Sequence, residues 1–253
     1  MQGDVRGAVK WFEETLRMAP PDGIDETAAK AHYSLGVLMA SSGRGQEAIN
    51  HLSAAVRFSP NYVEAYQALA DALRRSGRVE QSMTQYAEAL RINPKSPDAR
   101  FGYGMALVRL GRYREARDWF DEASRTHPDR PDFQFALARL LAAAPDDQVR
   151  DGQRAQAITE RLLQSGKTID LGETMAMALA ERGQFAEAVA IQRSLIEASI
   201  RQGLNPVTKR LTVNLLRYER QQPCRMPWAS DDPIHSPGPE VDPGLRASVS
   251  GTN

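Results

Sequence analysis

Residues 63–96 read VEAYQALADALRRSGRVEQSMTQYAEALRINPKS, and residues 97–130 read PDARFGYGMALVRLGRYREARDWFDEASRTHPDR. Laid one under the other, they agree in small residues, large apolar residues and helix breakers. Leu69-Ala70 falls on Tyr103-Gly104, Gly77 on Gly111, Ser82 on Ala116, Tyr86 on Phe120, Ala89 on Ala123 and Pro94 on Pro128. The same marks stand one period earlier as Leu35-Gly36, Gly43, Ala48, Leu52, Ala55 and Pro60. A fixed period of 34 residues with helical spacing inside it is the signature of a stacked helical repeat.

Each mark has a physical cause. Gly43, Gly77 and Gly111 end the first helix of a unit, where the C-cap favours a residue free to take positive φ. Pro60, Pro94 and Pro128 follow the second helix, since a residue without an amide N–H stops it. Asn93 and His127, just before two of them, are pushed away from helical geometry. Small residues such as Ala48, Ala116 and Gly104 let helices approach, while Leu52, Tyr86 and Phe120 fill the space opposite. A lone pair of helices cannot bury both apolar faces, and stacked neighbours complete the core.

These offsets resemble the W-x2-L-G…A-x3-F-x2-A…P pattern of the tetratricopeptide repeat family, in its bacterial form, over three consecutive units. The resemblance implies an all-α fold: a right-handed α-solenoid of stacked antiparallel helix pairs, closed by a C-terminal capping helix and followed by a disordered tail. Residues 1–28 are expected to be a truncated half-repeat and spacer, because Gly3, Ala8, Phe12 and Pro20 match only the second half of a unit. A bare second helix would expose Ala8, Trp11, Phe12 and Leu16, so Met1 is read as an unnatural start with more chain upstream. Three regular units occupy 29–130, in the register 29–62, 63–96 and 97–130.

Two irregular units and the cap occupy 131–220. The first opens normally with Phe133, Leu137, Ala138 and Leu141, but Pro145-Asp146-Asp147 stands where the turn glycine belongs. Gly152 and Ala157 resume the pattern seven residues late, and the helix they begin is expected to reach about Gln164. Met175, Ala176, Leu179, Gly183, Phe185 and Ala188 mark the next unit, whose second helix runs to about Gln202. Gly203 and Pro206 break it, and Val207–Arg220 reads as a closing helix with Leu211, Leu215 and Tyr218 on one face. Lys209, Arg210, Arg217 and Arg220 make its other face charged, as a terminal cap requires. From Pro223 to Asn253, six prolines and little apolar periodicity predict a disordered tail, in which Trp228 either anchors locally or, as the ordinary reading has it, is solvated.

Of the 253 residues, 42% are hydrophobic and 25% charged, with 32 basic residues against 32 acidic ones, so no net field draws nucleic acid or anionic lipid. The single cysteine, Cys224, excludes an internal disulfide and a cysteine-based metal site. No apolar run approaches a bilayer span and no signal-peptide pattern opens the chain, so a cytoplasmic protein is expected. No cofactor and no catalysis are expected either. Gly166-Lys167-Thr168 resembles the end of a phosphate loop, but the earlier glycine is Arg161 and no strand precedes it. Gly102-x-Gly104 has Leu107 at the third position of a dinucleotide fingerprint. His32 takes the slot where the family often carries Trp, and with His51, His127 and His235 forms no cluster in the sequence. Asp146-Asp147 and Asp231-Asp232 are paired carboxylates in loops, where solvated turn-forming is the ordinary role.

The resemblance also implies that the first helix of each unit lines a concave surface that takes extended peptides. At the fifth, ninth and thirteenth positions of these helices, one face carries Tyr33, Gln67, Phe101 and Phe135; Val37, Asp71, Met105 and Arg139; and Ser41, Arg75, Arg109 and Ala143. The expected partner-binding residues are therefore Tyr33, Gln67, Asp71, Arg75, Phe101, Met105, Arg109, Phe135 and Arg139. The expected ligand is a protein or peptide with apolar anchors and acidic groups, since Arg grips a carboxylate with two hydrogen bonds. The competing use of Phe101 and Phe135 is packing against the next helix. The sixth position gives Ser34, Ala68, Gly102, Ala136 and Thr174, without the asparagine of the carboxylate clamp or of the O-linked N-acetylglucosamine transferase ladder. The rival to a scaffold is the C-terminal arm of a larger enzyme, similar to arrays appended to membrane glycosyltransferase-like proteins.

Overall fold

Five glycines turn the chain: Gly43, Gly77, Gly111, Gly183 and Gly203 all lie at positive φ, between 69° and 79°. At Gly77 the amide donates to the Arg74 carbonyl at 3.1 Å and the next amide, Arg78, to the Leu73 carbonyl at 2.9 Å. That paired closure satisfies helix-end carbonyls and needs a left-handed residue between them. The same pair of bonds recurs at Gly43, Gly183 and Gly203.

The computed structural model describes residues 10–12, 14, 17, 24–229 and 232. Residues 10–12, 14 and 17 are helical, no strand occurs among the described residues, and eleven α-helices have described bounds. In chain order they are α1 (Glu26–Ser41), α2 (Gly45–Phe58), α3 (Val63–Arg75), α4 (Val79–Ile92), α5 (Pro97–Arg109), α6 (Tyr113–Thr126), α7 (Pro131–Ala143), α8 (Gly152–Ser165), α9 (Ile169–Glu181), α10 (Phe185–Arg201) and α11 (Asn205–Glu219). The chain divides into two compact units, one ending at Leu110 and one running from Gly111 to Asp232. The expected half-repeat of residues 1–28 lies largely outside the described residues, as does the tail beyond Asp232.

In the first unit α1 pairs with α2 and α3 with α4, while the first helices lie side by side, α1 on α3 and α3 on α5. α1 starts three residues before the repeat register because the Asp25 carboxylate caps it, accepting from the Thr27 and Ala28 amides at 2.8 and 3.0 Å. The repeat marks are the core: Ala48, Leu52, Ala55, Ser82 and Ala89 are fully buried, and Tyr86 is 1% exposed. Gly102 shows why one position must be small. A Cβ there would stand 2.4 Å from the Tyr86 ring, so the ring occupies the side-chain space.

In the second unit, α7, α8, α9, α10 and α11 pack each on the next, with α7 also against α9. Ala116, Phe120 and Ala123 are again fully buried. The irregular Pro145-Asp146-Asp147 segment is tied down. Arg150 donates to the Ala144 and Pro145 carbonyls at 2.9 Å and to Glu181 at 2.8 Å, and Arg114 reaches Asp146 at 2.6 Å. The Asp151 amide returns to the Leu141 carbonyl at 2.9 Å, so the insertion closes on α7 before α8 begins. The closing helix buries Leu211 and Tyr218, as its pattern requires.

One expectation fails here. Trp228 is not solvated: it is 5% exposed, and Cys224 is 4% exposed. The proline-rich composition therefore does not mark the end of the packed chain, because individual side chains beyond Pro223 find seats in the second unit.

Candidate functional site

Seven of the nine expected residues, from Tyr33 to Arg109, lie on the first helices of the first unit. Tyr33 on α1 is half-buried, its ring 5.1 Å from that of Tyr62. Burial, then the Glu64 carboxylate, raises its pKa. On α3, Gln67 donates to the Ser96 hydroxyl at 2.7 Å, and the same hydroxyl caps α5 by accepting from the Ala99 amide. Gln67 is thus engaged in positioning α5. Asp71 accepts from the Tyr86 hydroxyl, whose oxygen in turn accepts from Arg74 Nε at 3.2 Å, and Arg74 also contacts Asp71 at 3.4 Å. Burial, then the Asp71 charge, raises the Tyr86 phenol well above its ordinary range and keeps it a donor. The Asp71 side chain remains 38% exposed, while Arg74 is only 5% exposed. Arg75 and Phe101 are partly exposed, and Arg109 is exposed.

Three of the nine expected residues do not present themselves to a ligand. Met105 is fully buried and Arg139 is 1% exposed, so both are interior. Phe135, at 9%, is nearly so. Arg139 turns inward because its charge is met there. Its guanidinium pairs with Glu173 at 2.6 Å and Thr174 Oγ1 at 3.3 Å, lies over the Phe135 and Trp228 rings, and donates from Nε to the Pro227 carbonyl. Glu173, fully buried, also accepts from Asn214 at 3.0 Å and meets Arg210 at 3.1 Å. Neither Glu173 nor the Trp228 strap is marked by the repeat pattern, and the only hint of the former is a carboxylate standing directly before the uncharged run Thr174–Ala180.

The histidines depart from the expectation too. His32 and His51 meet, Nδ1 to Nδ1 at 3.0 Å, with the His32 ring stacked on Phe58. Burial, then His51 and Arg57, lowers the His32 pKa to about 4, so the His32 ring is neutral at pH 7. Among the described residues no group of three or more His, Cys, Asp or Glu is placed to hold a metal, and no helix is long and apolar enough to cross a membrane.

Comparison with known proteins agrees with this architecture. Tetratricopeptide repeat models match residues 68–131 and 173–191, and a bacterial transcriptional activator domain model matches residues 8–95. No curated protein matches the chain by sequence. A tetratricopeptide repeat protein from Parabacteroides merdae ATCC 43184 is similar in structure at a TM-score of 0.62, with 17% identity over 76% of this chain and 77% of that one. YrrB, described as a TPR protein with an unusual peptide-binding site, aligns at 0.57, with 14% identity over 75% of this chain and 92% of its own. TTC0263 of Thermus thermophilus, a thermophilic TPR protein, aligns at 0.50, with 25% identity over 69% of this chain and 90% of its own. The fold is an α-solenoid of the tetratricopeptide type. The chain carries tetratricopeptide repeats, matched by family models over residues 68–131 and 173–191.

Proposed function

We propose that this protein is a scaffold that holds an extended polypeptide on the first-helix face of its first unit. The observation that carries the reading is the placement of Tyr33, Arg75, Phe101 and Arg109 at exposed or half-exposed positions of three first helices that lie side by side. Aromatic and arginine side chains dominate interface energetics, the first by burying rigid area and the second by gripping carboxylates. The ligand that suits them has apolar anchors and at least one acidic group. Asp71, held by Tyr86 and Arg74, supplies a fixed acceptor beside them for a backbone amide. The likeness to YrrB, a TPR protein with an unusual peptide-binding site, supports the class of ligand.

Selection of a displayed random-peptide library on the purified chain tests this. Peptides with an aromatic or aliphatic residue near Asp or Glu are expected to enrich. Replacing Phe101 with Ala should weaken the selected peptides by about 1–3 kcal/mol if it is a hot spot, and Arg109→Glu should weaken them further, most at low salt. A double variant that keeps the parent's helical spectrum and every selected peptide would remove this face from consideration.

The match of residues 8–95 to a bacterial transcriptional activator domain favours a second reading, in which the same face serves a transcription regulator. Capture of a DNA-binding protein or RNA polymerase by the parent and not by the double variant would support it.

A further inference from the structure

In the second unit the corresponding face is already covered. Phe135 and Arg139 on α7 hold the positions from which a first helix would meet a ligand, and the chain's own Pro227 and Trp228 lie against Arg139. The segment that carries them, residues 223–229, is extended, without helix or strand. Cys224 and Trp228 point in, while Met226 between them is 53% exposed. The Trp228 ring lies 5.9 Å from the Arg139 guanidinium, the Pro227 carbonyl accepts from Arg139 Nε, Arg225 pairs with Glu181 at 2.5 Å, and Asp232 meets Arg210 at 3.3 Å. An aromatic anchor, a backbone carbonyl read by a guanidinium, and one ion pair at either end are the contacts of a bound peptide.

The covered state carries costs that an integral core element would not. The Arg139–Glu173 pair is 2% and 0% exposed, and an ion pair taken fully out of water is stabilised weakly or not at all. The Tyr218 hydroxyl, on a side chain 1% exposed, has no hydrogen-bond partner, nor has Arg210 Nε or Gln192 Oε1. Against those costs stand the buried indole and thiol and the terminal ion pairs.

We propose that the α7–α9 face of the second unit is a peptide-binding site, and that residues 223–229, with Asp232, are its resident intramolecular ligand, displaceable by a segment of like chemistry. Such a segment carries a basic residue, then a Pro–aromatic pair, then a carboxylate a few residues on, following Arg225, Pro227-Trp228 and Asp232. The inference rests on the reading that first-helix faces of this protein take extended chains. It concerns a different face from the one tested above. Because the tail is tethered, its effective concentration is high, and a free peptide meets only the open fraction of molecules. Loosening the tail should therefore raise the apparent affinity for a peptide supplied in trans without any change in the site.

The test uses the full chain. A fluorescein-labelled synthetic peptide of residues 221–232, kept reduced, is titrated by anisotropy onto the parent and onto Trp228→Ala. The variant is expected to bind at least tenfold more tightly than the parent, and a peptide bearing the Trp228→Ala change is expected not to bind the variant. Phe101→Ala with Arg109→Glu should leave this titration unchanged, which separates failure here from failure of the first-unit face. Equal binding by parent and variant, or no binding to a variant with the parent's helical spectrum, would overturn the proposal. Loss of that spectrum in Trp228→Ala would overturn it too, by showing the strap to be core. In that event Arg225→Ala with Asp232→Ala, which leaves the indole seated, should show no gain in peptide affinity either.

Discussion

Glu173→Gln removes a charge from the centre of the second unit while keeping the side chain's shape. Two guanidiniums converge on this carboxylate, Arg139 at 2.6 Å and Arg210 at 3.1 Å, and an amide of Asn214 at 3.0 Å. Arg210 is 22% exposed in its side chain and keeps Asp170 at 2.7 Å. Arg139 has no such recourse. It is left with carbonyls, a hydroxyl and two ring faces, which orient its donors but do not neutralise a charge withdrawn from water. Removing one partner of a buried pair costs about 3–5 kcal/mol, and the Gln carbonyl, still able to accept, places this case near the lower end, about 3 kcal/mol. For a chain of this length that corresponds to roughly 6–12 °C in Tm. The decisive comparison is Arg139→Met with Glu173→Leu. It removes both charges and leaves only the Asn214 amide and the Pro227 carbonyl short of partners, so it should be more stable than Glu173→Gln alone. Urea unfolding of parent, single and double variants, followed by circular dichroism, measures both. A double variant less stable than the single one would refute the argument, since the damage would then lie in lost contacts and not in an uncompensated charge.

Ala116→Asp should destabilise the chain by roughly 2–4 kcal/mol, because a fully buried close contact gains an unpaired carboxylate; an unchanged melting temperature would contradict the packing of α6. Stability should also fall in acid through His32. Its folded pKa lies near 4 and the unfolded value near 6.5, so its contribution is complete above about pH 6.5 and is lost as pH drops from there toward 4. His32→Gln should flatten the fall in Tm between pH 7 and pH 5, and a slope as steep as the parent's would exclude the pair as its source.

How much of this was legible in the sequence follows from the range over which each feature is decided. The glycine turns, the buried Ala and Leu, Tyr or Phe marks, and the closing helix are set by neighbours within one repeat, and a period repeated three times states them three times over. Gly43, Gly77 and Gly111 sit at positive φ, and α8 and α10 end within a residue of Gln164 and Gln202, where the pattern predicts. The site was legible as a face and not as a surface. Helical spacing places Phe135 and Arg139 on the same side as Phe101 and Arg109, but cannot say what else comes to lie there.

The sequence by itself determined the repeat, its register and its helices, because those rest on backbone conformations and side-chain sizes recurring at fixed local offsets. Only the tertiary structure decided that His32 meets His51, that Tyr86 reaches through to Asp71, and that Arg139 is sealed beneath a strap 88 residues further along. Each of these is a pairing between side chains that the repeat pattern does not link. Trp228, alone among prolines, has no pattern to betray it, and its burial depends on an acceptor–donor fit with α7 that exists only once the second unit has folded.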